Sequence, residues 1–278
     1  MFEKDMFKDK VIIITGGGTG LGLHLAMRLA SLGGKIAIIS RNKDHLAKGE
    51  NAIKTISPSV LSHVCDVREP QQIKSALKKI KNTFGKIEIL VNNAAGNFIY
   101  PAEKIPLKGW KAVIDIVLNG SFYCSQIFGK EMIKQQSGQI LNILATYAWT
   151  GGPGTIHSAS AKAGVLAMTR TLAVEWASHG IRVNAVAPGP FDTPGAKDRL
   201  WPLPEIEQQI IRDIPLERFA SLDEVTNAIL FLLSPGASYI NGECVTIDGG
   251  AWLGKGIGQA TEWMNRFEEL RKASKGNQ

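Results

Sequence analysis

The feature that most restricts this chain is an apolar strand that runs straight into a glycine-rich turn and then into a helix. Val11–Ile14 is followed by Thr15-Gly16-Gly17-Gly18-Thr19-Gly20-Leu21-Gly22, and Leu21, Leu25 and Leu29 then fall at helical spacing. Glycines let the backbone approach a pyrophosphate, and the helix N-terminus adds N–H donors and a favourable dipole. The expected contacts are Thr15, Gly16, Gly18, Thr19, Gly20, Leu21 and Gly22.

The same strand–helix alternation continues. Apolar runs recur at Lys35–Ile39, Val60–Cys65, Ile87–Val91, Gln139–Leu144, Arg182–Val186 and Cys244–Ile247, with helical spacing between them. Near-continuous Val/Ile runs mark strands covered on both faces. The expectation is an α/β fold: a Rossmann-type, doubly wound parallel sheet of seven strands with about six helices, in the order 3-2-1-4-5-6-7. Residues 1–253 should form one domain that includes the substrate site, beyond the carboxyl ends of the strands. Residues 254–278 read as an extension, with Trp263, Phe267 and Leu270 at helical spacing, expected to pack on the body or on a neighbouring subunit.

Composition excludes several alternatives. No apolar run is long enough to cross a bilayer, and the segment MFEKDMFKDK carries acids among its lysines and lacks an apolar signal core. A cytoplasmic protein without membrane partners is expected. The net charge of +7 favours anionic ligands, but the basic residues are dispersed and not interleaved with aromatics, so nucleic acid is not expected. Cys65, Cys124 and Cys244 fit no metal-ligand spacing and read as reduced core thiols, so no metal is expected.

The second strand bears on the cofactor. Its end reads Ile38-Ile39-Ser40-Arg41-Asn42-Lys43, with no acid to hold a ribose 2′-hydroxyl. Arg41, beside Asn42, can fork onto a 2′-phosphate, and this favours NADPH.

With these elements in place, the chain resembles the short-chain dehydrogenase/reductase family over nearly its full length. The Thr15–Gly22 turn, Asp66-Val67 after the third strand, Asn92-Asn93-Ala94-Ala95-Gly96, the helix asparagine Asn119, Pro188-Gly189-Pro190 and Thr193 carry the likeness. The resemblance implies that Asp66, Val67, Asn93, Ala94, Pro188, Gly189 and Thr193 border the cofactor. It also implies a homotetramer packed through the helices after the fourth and fifth strands.

The chain departs from that family at its catalytic signature. Lys162 is present, but the tyrosine four positions before it is Ser158, and the serine thirteen positions before that is Ala145. A carbonyl reductase of this family uses that tyrosine to protonate an alkoxide. Here Tyr147, with Thr146-Tyr147-Ala148, Ser158–Gly164, Asn92–Phe98, Pro101-Ala102-Glu103 and Val117–Gly120, is similar to the 2,4-dienoyl-CoA reductase group, its bacterial members above all.

That resemblance implies NADPH-dependent reduction of a 2,4-dienoyl-CoA to a 3-enoyl-CoA in the β-oxidation of unsaturated fatty acids. Hydride adds to the far end of the conjugated system, and charge flows to the thioester oxygen as a dienolate. The enzyme's task is oxyanion stabilisation, which the resemblance assigns to Tyr147 and Asn119 with Ser158 nearby. Lys162 would hold the nicotinamide ribose and add positive charge. The α-carbon proton comes from Tyr147 or a bound water. Competing readings are a trans-2-enoyl-CoA reductase, a ketoreductase or sugar dehydrogenase, and a non-catalytic NADP-binding protein. His24 and His157 read as structural.

Overall fold

The computed structural model describes residues 2–191 and 203–253. Seven parallel strands form one sheet, in the order β3-β2-β1-β4-β5-β6-β7. They are β1 (Val11–Thr15), β2 (Lys35–Ser40), β3 (Val60–Val64), β4 (Ile89–Asn92), β5 (Gly138–Ile143), β6 (Ile181–Pro188) and β7 (Cys244–Ile247). The topology and every strand are as the apolar runs foretell, with ends shifted by up to two residues.

The helices are α1 (Gly20–Ser31), α2 (Lys43–Lys54), α3 (Pro70–Phe84), α4 (Leu107–Ile114), α5 (Gly120–Gln135), α6 (Tyr147–Thr150), α7 (Ile156–Glu175), α8 (Pro204–Arg212) and α9 (Leu222–Leu233). The described residues thus hold nine α-helical segments where about six are expected. The surplus has three sources: the single turn α6, the short α8, and a π-helical segment, Asp115–Asn119, that divides the helix after β4 into α4 and α5.

Burial explains the unbroken Val/Ile runs. Ile12, Ile14, Ile36 and Ile38 enter a core layer with α1 and α9, while Val11, Ile13, Ala37 and Ile39 enter the opposite layer with α3 and α5. Alternate side chains on a strand face opposite sides, so both must be apolar when helices cover both faces. Burying one such isoleucine stabilises by about 1.5–3 kcal/mol, more than the ~1 kcal/mol net of a ladder hydrogen bond. The side chains therefore dominate the stability of the sheet.

Strand order reverses between β1 and β4, so the connections after them diverge to opposite sides. This opens a crevice at the carboxyl ends of the strands. Cys65, Cys124 and Cys244 are free thiols, and no helix among the described residues is long and apolar enough to cross a membrane. Residues 254–278 and Thr193 lie outside the described residues.

Candidate active site

The glycine turn sits at the crevice. Gly16 adopts φ +65°, and a Cβ there would stand 3.1 Å from the Ala94 backbone. At Gly22 it would lie 2.6 Å from the Gly16 carbonyl oxygen. Only glycine lets the turn lie this close to the end of β4. The buried Thr15 hydroxyl accepts from the backbone N–H groups of Asn93 (2.9 Å) and Ala94 (2.8 Å), and the Asn93 amide donates to the Thr15 carbonyl at 2.9 Å. Thr15 and the Asn93 side chain therefore clamp the two strand ends together and set the turn.

Thr19 is the N-cap of α1, yet its side chain makes no cap bond, and the first turn holds no acid. With Gly18, Gly20 and Leu21, this leaves an N-terminus suited to an anion. The donors present and the glycine-lined approach fit a dinucleotide pyrophosphate.

At the end of β2, Arg41 is exposed. Asn42 is the N-cap of α2, its Oδ1 accepting from the N–H groups of Asp44 (2.9 Å) and His45 (3.0 Å). It thereby fixes the backbone that carries Arg41. At the end of β3, Asp66 accepts from the Arg68 guanidinium at 2.9 and 3.1 Å. This bond, with Arg41 contributing more weakly, holds the Asp66 carboxyl below its usual range. Val67 is buried against Gly120. Gly189, between Pro188 and Pro190, donates its N–H to the Ile247 carbonyl at 2.9 Å and packs against Asp248.

Beyond β5 the four candidate catalytic side chains come from three elements. Tyr147 opens α6, Ser158 and Lys162 lie one helical turn apart on α7, and Asn119 ends the π segment. The Tyr147 Oη and Ser158 Oγ are 3.0 Å apart, either one donating. Ser158 thus occupies the family's tyrosine position but serves as partner to a phenol brought in from α6. Burial pushes the Tyr147 pKa up, only partly offset by Ser158, so the phenol stays a neutral donor.

Lys162 is buried and donates to the Ile143 carbonyl at the end of β5. Burial lowers its pKa to about 8. The π segment packs on α7 through Leu118, which lies over Gly164; a Cβ at Gly164 would meet the Leu118 Cδ1 at 2.9 Å. Asn119 donates from Nδ2 to the Asp115 carboxylate at 2.9 Å. The fold therefore brings Tyr147 and Ser158 into contact and holds Lys162 one turn further along α7, with the Asn119 segment packed against the same helix.

The histidines have structural surroundings. His24 pairs with Asp223 at 3.1 Å, and His157 is fully buried, edge-on to Phe98 with centroids 4.3 Å apart. Sequence reasoning misses Asp115, Arg68 and a buried ladder of Asn92, Ser125, Asn142 and Thr169. A signal for Asp115 exists in its i, i+4 spacing to Asn119; the ladder needs the strand register.

The chain is similar to known proteins over most of its length. A family model described as enoyl-(acyl carrier protein) reductase matches residues 16–251. A probable 2,4-dienoyl-CoA reductase of Bacillus subtilis (strain 168), described as (2E)-enoyl-CoA-producing, is 47% identical over 88% of this chain and 98% of its own length. A peroxisomal 2,4-dienoyl-CoA reductase of Danio rerio, described as (3E)-enoyl-CoA-producing, is 38% identical over 91% of this chain and 85% of its own. A crystal structure of a short chain dehydrogenase from Bacillus anthracis superposes with a TM-score of 0.81 at 46% identity, over 88% of this chain and 97% of that one. The glycine turn, the seven-stranded sheet and these full-length matches lead to one conclusion: the chain belongs to the short-chain dehydrogenase/reductase family and is an oxidoreductase that uses a nicotinamide cofactor.

Proposed function

We propose that the chain reduces 2,4-dienoyl-CoA thioesters with NADPH, yielding a 3-enoyl-CoA during oxidation of unsaturated fatty acids. The observation that carries this reading is the Tyr147–Ser158 pair at 3.0 Å, which ties a phenol to the helical turn before the lysine in a chain that lacks the family's usual tyrosine. The relatives described as dienoyl-CoA reductases support it.

The bound cofactor supplies the hydride, which goes to the δ carbon of the thioester. Electrons then move through the conjugated system to the thioester oxygen. Tyr147 and Asn119 donate hydrogen bonds to that oxygen, where charge develops. Ser158 orients the phenol by donating to its oxygen, which leaves the single phenol O–H for the substrate. The Lys162 charge, in a buried setting of low dielectric, favours the same anion. Protonation of the dienolate at the α carbon, from Tyr147 or a water beside it, gives the 3-enoyl product; protonation at the γ carbon would give the 2-enoyl isomer.

Lys162 would also hold the nicotinamide ribose. Arg41 would hold the 2′-phosphate of NADPH, a charge-assisted bond that NADH does not offer. Thr15, Gly16, Gly18, Thr19, Gly20, Leu21, Gly22, Asn42, Asp66, Val67, Asn93, Ala94, Pro188, Gly189 and Thr193 complete the cofactor site by contact or by setting its backbone. Residues 1–253 form the catalytic unit in this reading. A homotetramer through α5 and α7 suits the apolar side chains they leave exposed, Phe122 and Val174.

The test is product analysis by NMR after turnover of a 2,4-dienoyl-CoA, with NADPH and NADH run in parallel. NADPH-dependent formation of the 3-enoyl thioester supports the reading; a 2-enoyl product moves the proton to the γ carbon, and equal use of NADH removes the role given to Arg41. The family model's description favours one second reading, reduction of a trans-2-enoyl thioester. The same donors would serve it, because its enolate oxygen sits at the same thioester carbonyl.

A further inference from the structure

We infer that Asp115 is a positioning residue that fixes the side-chain amide of Asn119, holding one N–H on its carboxylate and leaving the other free for the substrate's thioester oxygen. The inference rests on the proposed role of Asn119 as an oxyanion donor and assigns the residue that makes that role possible.

An asparagine amide has a donor end and an acceptor end of nearly equal size, and only the donor end can stabilise an oxyanion. Something must therefore choose between two orientations that differ by a half-turn. An ionised carboxylate only accepts hydrogen bonds, so the end facing it must be the NH2 group. Asp115 supplies that carboxylate: its Oδ1 accepts from the Asn119 Nδ2 at 2.9 Å. The reversed amide would turn its own oxygen toward the carboxylate and lose a charge-assisted bond.

The surroundings keep Asp115 ionised and in place. Its other oxygen, Oδ2, accepts from the Lys111 Nζ at 2.8 Å, so the two carboxylate oxygens are divided between an anchor and the amide. Arg68, reaching from the connection after β3, is the second cation that acts on it, and Lys111 and Asn119 together hold its carboxyl below the usual range. The backbone between the two residues is also constrained. Within the π segment the Gly120 N–H bonds back to the Asp115 carbonyl, five residues earlier. Segments of this kind occur often at functional sites. Leu118 is seated on Gly164 and Gly120 on Val67. Rotation of the Asn119 amide is the freedom that remains, and Asp115 removes it.

The experiment combines steady-state kinetics with NMR of the 15N-labelled protein. Asp115→Leu should lower kcat for a 2,4-dienoyl-CoA by roughly 10–100-fold, the range for losing a bond to a charged group, while the KM for NADPH moves less than about twofold. Asp115→Ser, too short to reach the amide, should do the same and serves if the leucine variant fails to fold. In an Asn119→Ala background, Asp115→Leu should cause no further loss. In the NMR spectrum, the Asn119 NH2 pair, identified by its disappearance in Asn119→Ala, should show one proton shifted downfield in the wild type and lose that asymmetry in Asp115→Leu. Full kcat in both Asp115 variants, additive losses in the double variant, or an NH2 pair indifferent to Asp115 would overturn the inference. Wild-type protein inactive on the dienoyl thioester would instead overturn the proposed function, and the NMR comparison would still decide the role of Asp115.

Discussion

Two polar clusters meet where β4 and β5 end, and they are built to opposite purposes. In the first, the Asn92 amide donates to Ser125 (3.0 Å) and Asn142 (2.8 Å), Asn142 donates to Thr169 (2.8 Å), and Thr169 donates to the Val165 carbonyl (2.8 Å). Apart from the Asn92 Oδ1, which has no partner, this ladder is closed on itself and buried. In the second, one residue further along β5, Lys162, Tyr147, Ser158 and Asn119 each have a single side-chain contact; Lys162 and Asn119 keep N–H groups to spare, and the Tyr147–Ser158 pair keeps one O–H. The first cluster ties β4 and β5 to α5 and α7. The second draws on α6, the π segment and α7, and in the proposed reaction its spare donors serve a charge that appears only then. A polar group spent on the fold contributes stability; one left unspent costs stability and is available for chemistry.

The sharpest way to break the comparison is to exchange the expected consequences. Tyr147→Phe should lower turnover by roughly 100–1000-fold, the usual cost of losing one oxyanion donor, with little change in thermal midpoint. A large loss of stability with full turnover would move Tyr147 into the first cluster. Asn142→Leu should do the reverse. Leaving Asn92 and Thr169 with fewer partners costs about 1–3 kcal/mol, read by urea unfolding, while turnover per folded molecule holds.

The lysine sharpens the contrast through pH. Its folded pKa of about 8 lies below the ordinary 10.5, so the unfolded chain binds more protons between these values. Stability from this group should therefore rise with pH between about 8 and about 10.5. The kcat/KM should fall above pH 8 by about tenfold per unit if the charge supports the oxyanion. Tyr147, raised above its ordinary value, stays protonated where that decline begins, so the decline belongs to Lys162. A flat profile from pH 7 to 9.5 would remove the lysine charge from the account. The smallest effect belongs to Ser158→Ala, which removes one neutral hydrogen bond to the phenol and should cost roughly 2–10-fold in turnover.

Sequence patterns reveal the two clusters unequally. The strands are legible because both-face burial writes them as unbroken Val/Ile runs, and the glycine turn because no other residue permits its approach to Ala94. Tyr147 and Lys162 are legible through the family pattern and its gap at Ser158. The ladder is not: Asn92 and Asn142 become neighbours only through the β4–β5 register, fifty residues apart in sequence. Asn42 and Thr15 read as cofactor contacts, and the structure gives them in addition a helix cap and a strand clamp that the sequence pattern does not reveal. Local spacing cannot separate a residue that touches a ligand from one that holds the loop that does.

The most direct test of the account is NADPH oxidation by the wild-type protein with a 2,4-dienoyl-CoA, a 2-enoyl-CoA and a 3-oxoacyl-CoA side by side. In the proposed function the Tyr147 and Asn119 donors serve a thioester oxyanion, and no tyrosine stands at the family position for protonating an alkoxide. The account therefore predicts fast turnover of the dienoyl thioester and none of the 3-oxoacyl thioester. Preferential turnover of the 3-oxoacyl thioester would contradict it.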